Sequence, residues 1–162
     1  MSAILLLSAA VVAGCASGPA GSSASATVKA VYGQVPSGVV SFTQQGPDMV
    51  MYAHFAGFPT NATYAIHVHE KGDCSGAGLE RAGGIYNPTG KPHGPQDRDH
   101  MVGDLPSLEG DTEGLADMRV VVRNVTVSDL IGRSLIVHRY FDDYHTQPEG
   151  ASGERTACGV IK

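Results

Sequence analysis

Short runs in which apolar and polar side chains alternate recur along the chain, at residues 26–32, 39–44, 49–55, 63–69, 116–122, 134–140 and 156–161. Alternation with a period of two puts successive side chains on opposite faces of a strand. Turn-forming clusters separate several of the runs, among them Gln34-Val35-Pro36-Ser37-Gly38, Gln45-Gly46-Pro47-Asp48 and Gly57-Phe58-Pro59-Thr60-Asn61. No long amphipathic helix is patterned anywhere, and residues 128–131 are expected to make one short helical turn. Seven or eight short strands without long helices predict an all-β, antiparallel sandwich or barrel. No internal repeat is found.

The run 63–69 carries the most chemistry. Ile66 and Val68 fall on one face and His67 and His69 on the other, so one side of this strand is core and the other a platform for metal ligands. The run 134–140 repeats the device: Leu135 and Val137 point inward and His138 outward. Two stretches, 70–114 and 139–154, show no strand pattern. Loops of that length are uncommon in a domain unless they are functional or stapled. Both are rich in ligand-type residues: His93, Asp97, Asp99, His100 and Asp104 in the first, and Asp142, Asp143 and His145 in the second. The expected architecture is a rigid β scaffold with a metal site between its outer face and two long functional loops. His54 reads as a strand-surface histidine, and His145 as a solvated loop residue.

Composition adds limits. At 162 residues with 21 glycines, the chain is sized for one domain with a real core. The formal charge of −5 leaves no basic stripe to neutralise phosphates, which excludes a nucleic-acid partner. The apolar run 3–12 is too short to span a bilayer and reads as the core of a signal peptide over residues 1–14. It ends in Val12-Ala13-Gly14-Cys15, which resembles a bacterial lipoprotein signal and implies a diacylglyceryl group on the Cys15 sulfur. No Lys or Arg precedes the run, a departure that points to a start further upstream. A plain secretory signal is the alternative, and either places the protein outside the cytoplasm. Residues 15–27 then form a lipidated cysteine and flexible tether, and 28–162 the folded domain. With Cys15 lipidated, Cys74 and Cys158 remain, an even pair in an oxidising compartment. They would form either a bridge or two buried thiols.

Four segments then line up in order: His67-Val68-His69-Glu70-Lys71-Gly72-Asp73-Cys74; Gly83-Gly84-Ile85-Tyr86-Asn87-Pro88 through His93-Gly94; Val102-Gly103-Asp104-Leu105; and Ile131-Gly132-Arg133-Ser134-Leu135-Ile136-Val137-His138. The ending Gly153-Glu154-Arg155-Thr156-Ala157-Cys158-Gly159-Val160-Ile161 completes them. Together they closely resemble the copper/zinc superoxide dismutase family in its bacterial secreted form, over roughly residues 28–162. The resemblance implies an eight-stranded Greek-key β-barrel that disproportionates superoxide. It implies His67, His69 and His138 as copper ligands, and Arg155 as the cation that attracts and orients the superoxide anion. It also implies Asp142 as the carboxylate linking a copper-ligand imidazole to a zinc-ligand one, and a Cys74–Cys158 disulfide.

The sequence departs from that pattern at the second metal. The family's bridging histidine is Ile85 here, which has no donor atom. Of the zinc positions, His93 and Asp104 match, but the histidine three before the aspartate is Met101, with His100 one residue early. Zinc would therefore have at most His93, His100 and Asp104, one short of a closed tetrahedral set. The reading is a copper-dependent superoxide dismutase of the cell envelope with an altered bimetal site. Superoxide is its substrate and Cys15 its membrane anchor, and a homodimer is compatible with the resemblance. The alternatives are a noncatalytic copper-binding or copper-delivery lipoprotein, or a structural envelope lipoprotein on a retired enzyme fold; retention of Arg155 and Asp142 argues against the last.

Overall fold

A computed structural model describes residues 21–31 and 36–162. The alternating runs become, in chain order, β1 (Ser23–Ala30), β2 (Ser37–Gln45), β3 (Asp48–Ala56), β4 (Thr63–Tyr64), β5 (Ile66–His69), β6 (Leu108–Glu109), β7 (Leu115–Val122), β8 (Ser134–His138) and β9 (Arg155–Val160). Seven of them form one antiparallel sheet in the order β5-β8-β9-β1-β2-β3-β7, which curls into a half-barrel, and β4 pairs with β6 beside it. The connection from β7 to β8 carries the chain from one edge of the sheet to the strand next to the other edge. The all-β expectation therefore holds. The expected strand 63–69 is interrupted at Ala65, which bonds instead to the chain beyond β8, donating to Tyr140 and accepting from His138. Counting β4 and β5 as that one strand gives eight.

The alternation does its work in the inner face. Ala24, Ala26 and Val28 of β1, Val40 and Phe42 of β2, Met49, Met51 and Phe55 of β3, Ile66 and Val68 of β5, and Leu135 and Val137 of β8 form one buried cluster. A single turn of helix, α1 (Val127–Leu130), closes one end; Thr126 and Asp129 cap it reciprocally, each side chain accepting from the other's backbone N–H.

Two boundaries shift. Residues 23–27, read from the sequence as tether, belong to β1: they pair with β2 in register from Ser23↔Thr43 to Thr27↔Val39, and Ser25 exchanges both backbone bonds with Lys162. Their inward residues are alanines small enough to resemble a linker. The stretch 70–114 holds β6, two residues whose pairing rests on β4 rather than on any pattern of their own. His54, on the sheet surface as expected, has a cross-strand partner in Asp117 at 2.7 Å. The leader-like residues 1–14, Cys15 and most of the tether lie outside the described residues.

The outer face of β5, β8 and β9 is buried as well. Leu79 and Ala82, the latter ending a 3-10 turn at Glu80–Ala82, pack with Ile136 and Cys158 against it. Cys74 and Cys158 form a disulfide spanning 84 residues, which pins the start of the first loop to β9. A cross-link of this span stabilises by about 4–5 kcal/mol in the chain-entropy model. The Cys74→Ser/Cys158→Ser double variant should therefore unfold at markedly lower denaturant, with a loss near that figure. An unchanged midpoint would show that the loop holds its place without the bond.

Candidate metal centre

Antiparallel register brings the histidines together. His67 lies opposite Ile136 and His69 opposite Ser134, while a bulge between Val137 and His138 re-aims His138 at the end of β8. All three imidazoles are fully buried. The first loop covers the free edge of β5, which would otherwise expose unpaired backbone. Val68 donates to Gly103, Tyr86 donates to Val68, and Glu70 donates to Gly84.

Each ring has one nitrogen committed. His67 Nε2 donates to Asp142 Oδ2 at 2.7 Å, His69 Nδ1 to the Gly83 carbonyl at 3.0 Å, and His138 Nδ1 to the Gly153 carbonyl at 3.3 Å. In a neutral imidazole the other nitrogen then carries a bare lone pair. These are His67 Nδ1, His69 Nε2 and His138 Nε2. His67 Nδ1 and His138 Nε2 face each other at 3.3 Å, and His69 Nε2 is buried with no hydrogen-bond partner. Two lone pairs pointed at each other, with a third orphaned beside them, are satisfied together by a cation. Nitrogens on one metal with bonds of about 2 Å stand about 2.9–3.4 Å apart. Burial, opposed by the Gly83 bond and reinforced by nearby Arg155 and His67, lowers His69 to about 3. Burial and the other two imidazoles lower His138 to about 2. Both are thus unprotonated ligands at neutral pH.

His93 and Asp104 are brought together beside this cluster. His93 Nδ1 lies 2.7 Å from Asp104 Oδ1 and Nε2 lies 2.8 Å from Asp142 Oδ1. Burial works to lower His93, but the bonds and charges of the two carboxylates outweigh it and raise it to about 9. Asp142 is opposed by burial yet held well below the usual carboxylate range by its bonds to His67, His93 and the Tyr144 N–H. His100 does not join them. It donates to the Met101 carbonyl at 2.7 Å and belongs to no metal-sized grouping among the described residues. The one-residue offset turns it away, as in a strand it would. Ile85 is buried and sits opposite His69 in an isolated bridge.

Arg155, opposite His138 at the bulge, lines an open cleft of about 740 Å³ together with Gly83, Gly84, Gly153, Glu80 and Glu154. Gly83 and Gly153 are the residues whose carbonyls hold His69 and His138. The Arg155 guanidinium donates to the Leu79 carbonyl at 3.1 Å and to Glu149 Oε1 at 2.7 Å. Sequence reasoning missed Glu149 and the two glycine carbonyls, because neither a loop carboxylate nor a backbone oxygen leaves a pattern. Gly150 is the other omission. With φ +65°, it packs so closely on Asp142 and His93 that a Cβ would strike both.

A buried three-imidazole pocket on a curled β-sheet, roofed by two loops and flanked by an arginine, has the makings of a metal centre. The family model for copper/zinc superoxide dismutase (SODC) matches residues 36–161, and the chain belongs to that family. It is 37% identical over 138 residues to "Superoxide dismutase [Cu-Zn]" of Candida glabrata, covering 77% of this chain and 88% of that one. It is also 36% identical over 131 residues to the human "Copper chaperone for superoxide dismutase", covering 76% of this chain and 47% of the chaperone. Among solved structures, the clock protein EA4 superposes with a TM-score of 0.76 at 32% identity, over 89% of this chain and 96% of that one. Copper is the cofactor that the family and the three free imidazole nitrogens support; the second pocket offers zinc only His93 and Asp104 of the family's set.

These shifts set a pH profile for the metal-free protein. His69 and His138 are lowered in the folded state, so the unfolded chain takes up their protons first. Stability is whole above about 6.5 and is lost as the pH falls toward about 3 and about 2, at about 1.4 kcal/mol per pH unit per histidine. His93 acts oppositely: its contribution is complete below 6.5 and lost as the pH rises through about 9. Denaturation of the metal-free protein should show maximal stability near neutrality and a fall of roughly 2–3 kcal/mol per unit between pH 6 and 4. A flat profile across that range would mean that the imidazoles are solvated.

Proposed function

We propose that this chain is a copper-dependent superoxide dismutase of the bacterial cell envelope, converting two superoxide anions and two protons into dioxygen and hydrogen peroxide. The observation that carries this reading is the convergence of three buried imidazole lone pairs next to an arginine-lined cleft. Copper, when bound, supplies the one-electron couple that takes an electron from one superoxide and returns it to the next. His67, His69 and His138 would hold it, each through the ring nitrogen left free when the other bonds Asp142, Gly83 or Gly153. The Arg155 guanidinium, lining the cleft, draws the anion in. Glu149 pins that guanidinium in place while cancelling part of its long-range field. Ile85 cannot carry a proton, so water entering the cleft supplies the protons for peroxide.

The leader-like residues 1–14 and Cys15 support export and lipid attachment. No helix among the described residues is long and apolar enough to cross a membrane, and acyl chains on Cys15 are the proposed anchor. Intact-mass analysis should find the mature chain starting at Cys15 and carrying lipid.

A second reading, copper binding or delivery without turnover, is favoured by the likeness to the copper chaperone and by Ile85 in place of a bridging donor. Superoxide decay separates the two. The copper-loaded protein should exceed its His138→Ala variant by at least about a hundredfold. Arg155→Ala should retain copper yet lose about tenfold in rate at low ionic strength, with the gap narrowing in salt. A wild-type protein no faster than His138→Ala would leave the delivery reading standing.

A further inference from the structure

Two of the four positions at which the family binds its second metal hold Ile85 and Met101, and the two that remain are already engaged with each other. Ligands on one tetrahedral zinc, with bonds of about 2.0–2.1 Å, stand about 3.3 Å apart. His93 Nδ1 and Asp104 Oδ1 are 2.7 Å apart, which is the length of a charge-assisted hydrogen bond. Asp104 Oδ2 is also filled, accepting from the Gly94 N–H at 3.0 Å and the Met101 N–H at 2.9 Å. On its other side His93 faces Asp142, whose Oδ1 also accepts from the Tyr144 N–H at 2.7 Å. A carboxylate oxygen thus stands at hydrogen-bond distance from each ring nitrogen, and the His93–Asp104 pair is too close to span a tetrahedral zinc.

We propose that the His93 imidazole, clamped between Asp104 and Asp142, stands in for zinc in this chain, bracing the two long loops and aiming His67 at the copper pocket without a second metal ion. The chain of bonds is continuous: Asp104 holds His93, His93 holds Asp142, and Asp142 holds His67 Nε2 so that the Nδ1 lone pair faces His138. The loops are tied at the same point. Gln147 of the second loop accepts from the His93 N–H and donates to the His93 carbonyl, both at 2.9 Å. His93 and Asp104 are therefore positioning residues. They act on copper only through Asp142 and His67, whose ring orientation is worth ten- to a hundredfold in metal affinity when such partners are lost.

This inference rests on the three-histidine copper site proposed above, and its test keeps the two separable. The whole chain, stripped of metal and dialysed after exposure to equimolar Cu²⁺ and Zn²⁺, should retain about one copper and less than about a tenth of a zinc per chain. One tightly held zinc would overturn the proposal. Asp104→Asn should weaken copper ten- to a hundredfold and alter the Cu(II) electron paramagnetic resonance spectrum. Unchanged affinity and spectrum in that folded variant would equally overturn it. Should Asp104→Asn fail to fold, the ring ¹⁵N spectrum of the metal-free wild type decides. His93 resonances left unmoved by equimolar Zn²⁺ support the clamp, and an Nδ1 signal shifted by Zn²⁺ refutes it. If the chain binds no copper at all, the functional reading falls, while zinc retention and the ring spectrum still judge the clamp.

Discussion

A neutral imidazole has one nitrogen that donates and one that accepts, and burial removes water as a partner for either. Three such rings lie fully buried on the outer face of one sheet, so their six nitrogens had to be accounted for by protein groups or by a cation. The protein supplies an acceptor to one nitrogen of each ring: a carboxylate for His67 and backbone carbonyls for His69 and His138. That choice fixes every tautomer. It also forces the three remaining lone pairs into a common space, where no donor among the described residues answers them.

The rest of the fold can be understood as the means of providing those acceptors. The β5–β8 register sets the rings side by side, and the bulge after Val137 turns His138 and brings Arg155 opposite it. Gly83 and Gly153 belong to different loops; the Cys74–Cys158 bond and the Leu79, Ala82 and Ile136 packing hold the first against the sheet, and the second delivers Gly153 just before β9 begins. Gly83 and Gly153 also wall the cleft beside Arg155. The orientation of His69 and His138 and the shape of the cleft are thus tied to the same two loop positions.

How much of this the sequence disclosed depended on whether a residue's role is local. Alternation is local, so the His67/His69 face, the outward His138 and most strands could be read directly. β1 began earlier than expected because its inward residues, Ala24 and Ala26, are as small as those of a linker; only pairing with β2 and Lys162 shows them to be core. β6 left no trace, since two residues cannot display a period. His100 counted among the zinc donors the sequence offered, but its ring bonds the neighbouring Met101 carbonyl instead. Glu149 and the glycine carbonyls act through space, from loops whose course one dimension does not contain.

Ile85 ties these points together. A bridging imidazole at that place would couple two metals directly, and would make the first pocket depend on the second being filled. With an aliphatic side chain there, the hydrogen-bonded coupling between the pockets runs through Asp142, which touches His67 with one oxygen and His93 with the other, beside the edge contact of the two rings and the backbone bridge between His67 and Asp104. A single carboxylate can carry that load only if it cannot turn. Burial, the Tyr144 N–H and the close approach of Gly150 leave it no room to do so. Loss of the bridge therefore shifts the demand for rigidity from a metal ion onto loop packing, and it is in that packing that this chain keeps glycine at position 150, glutamine at 147 and a carboxylate on each side of His93.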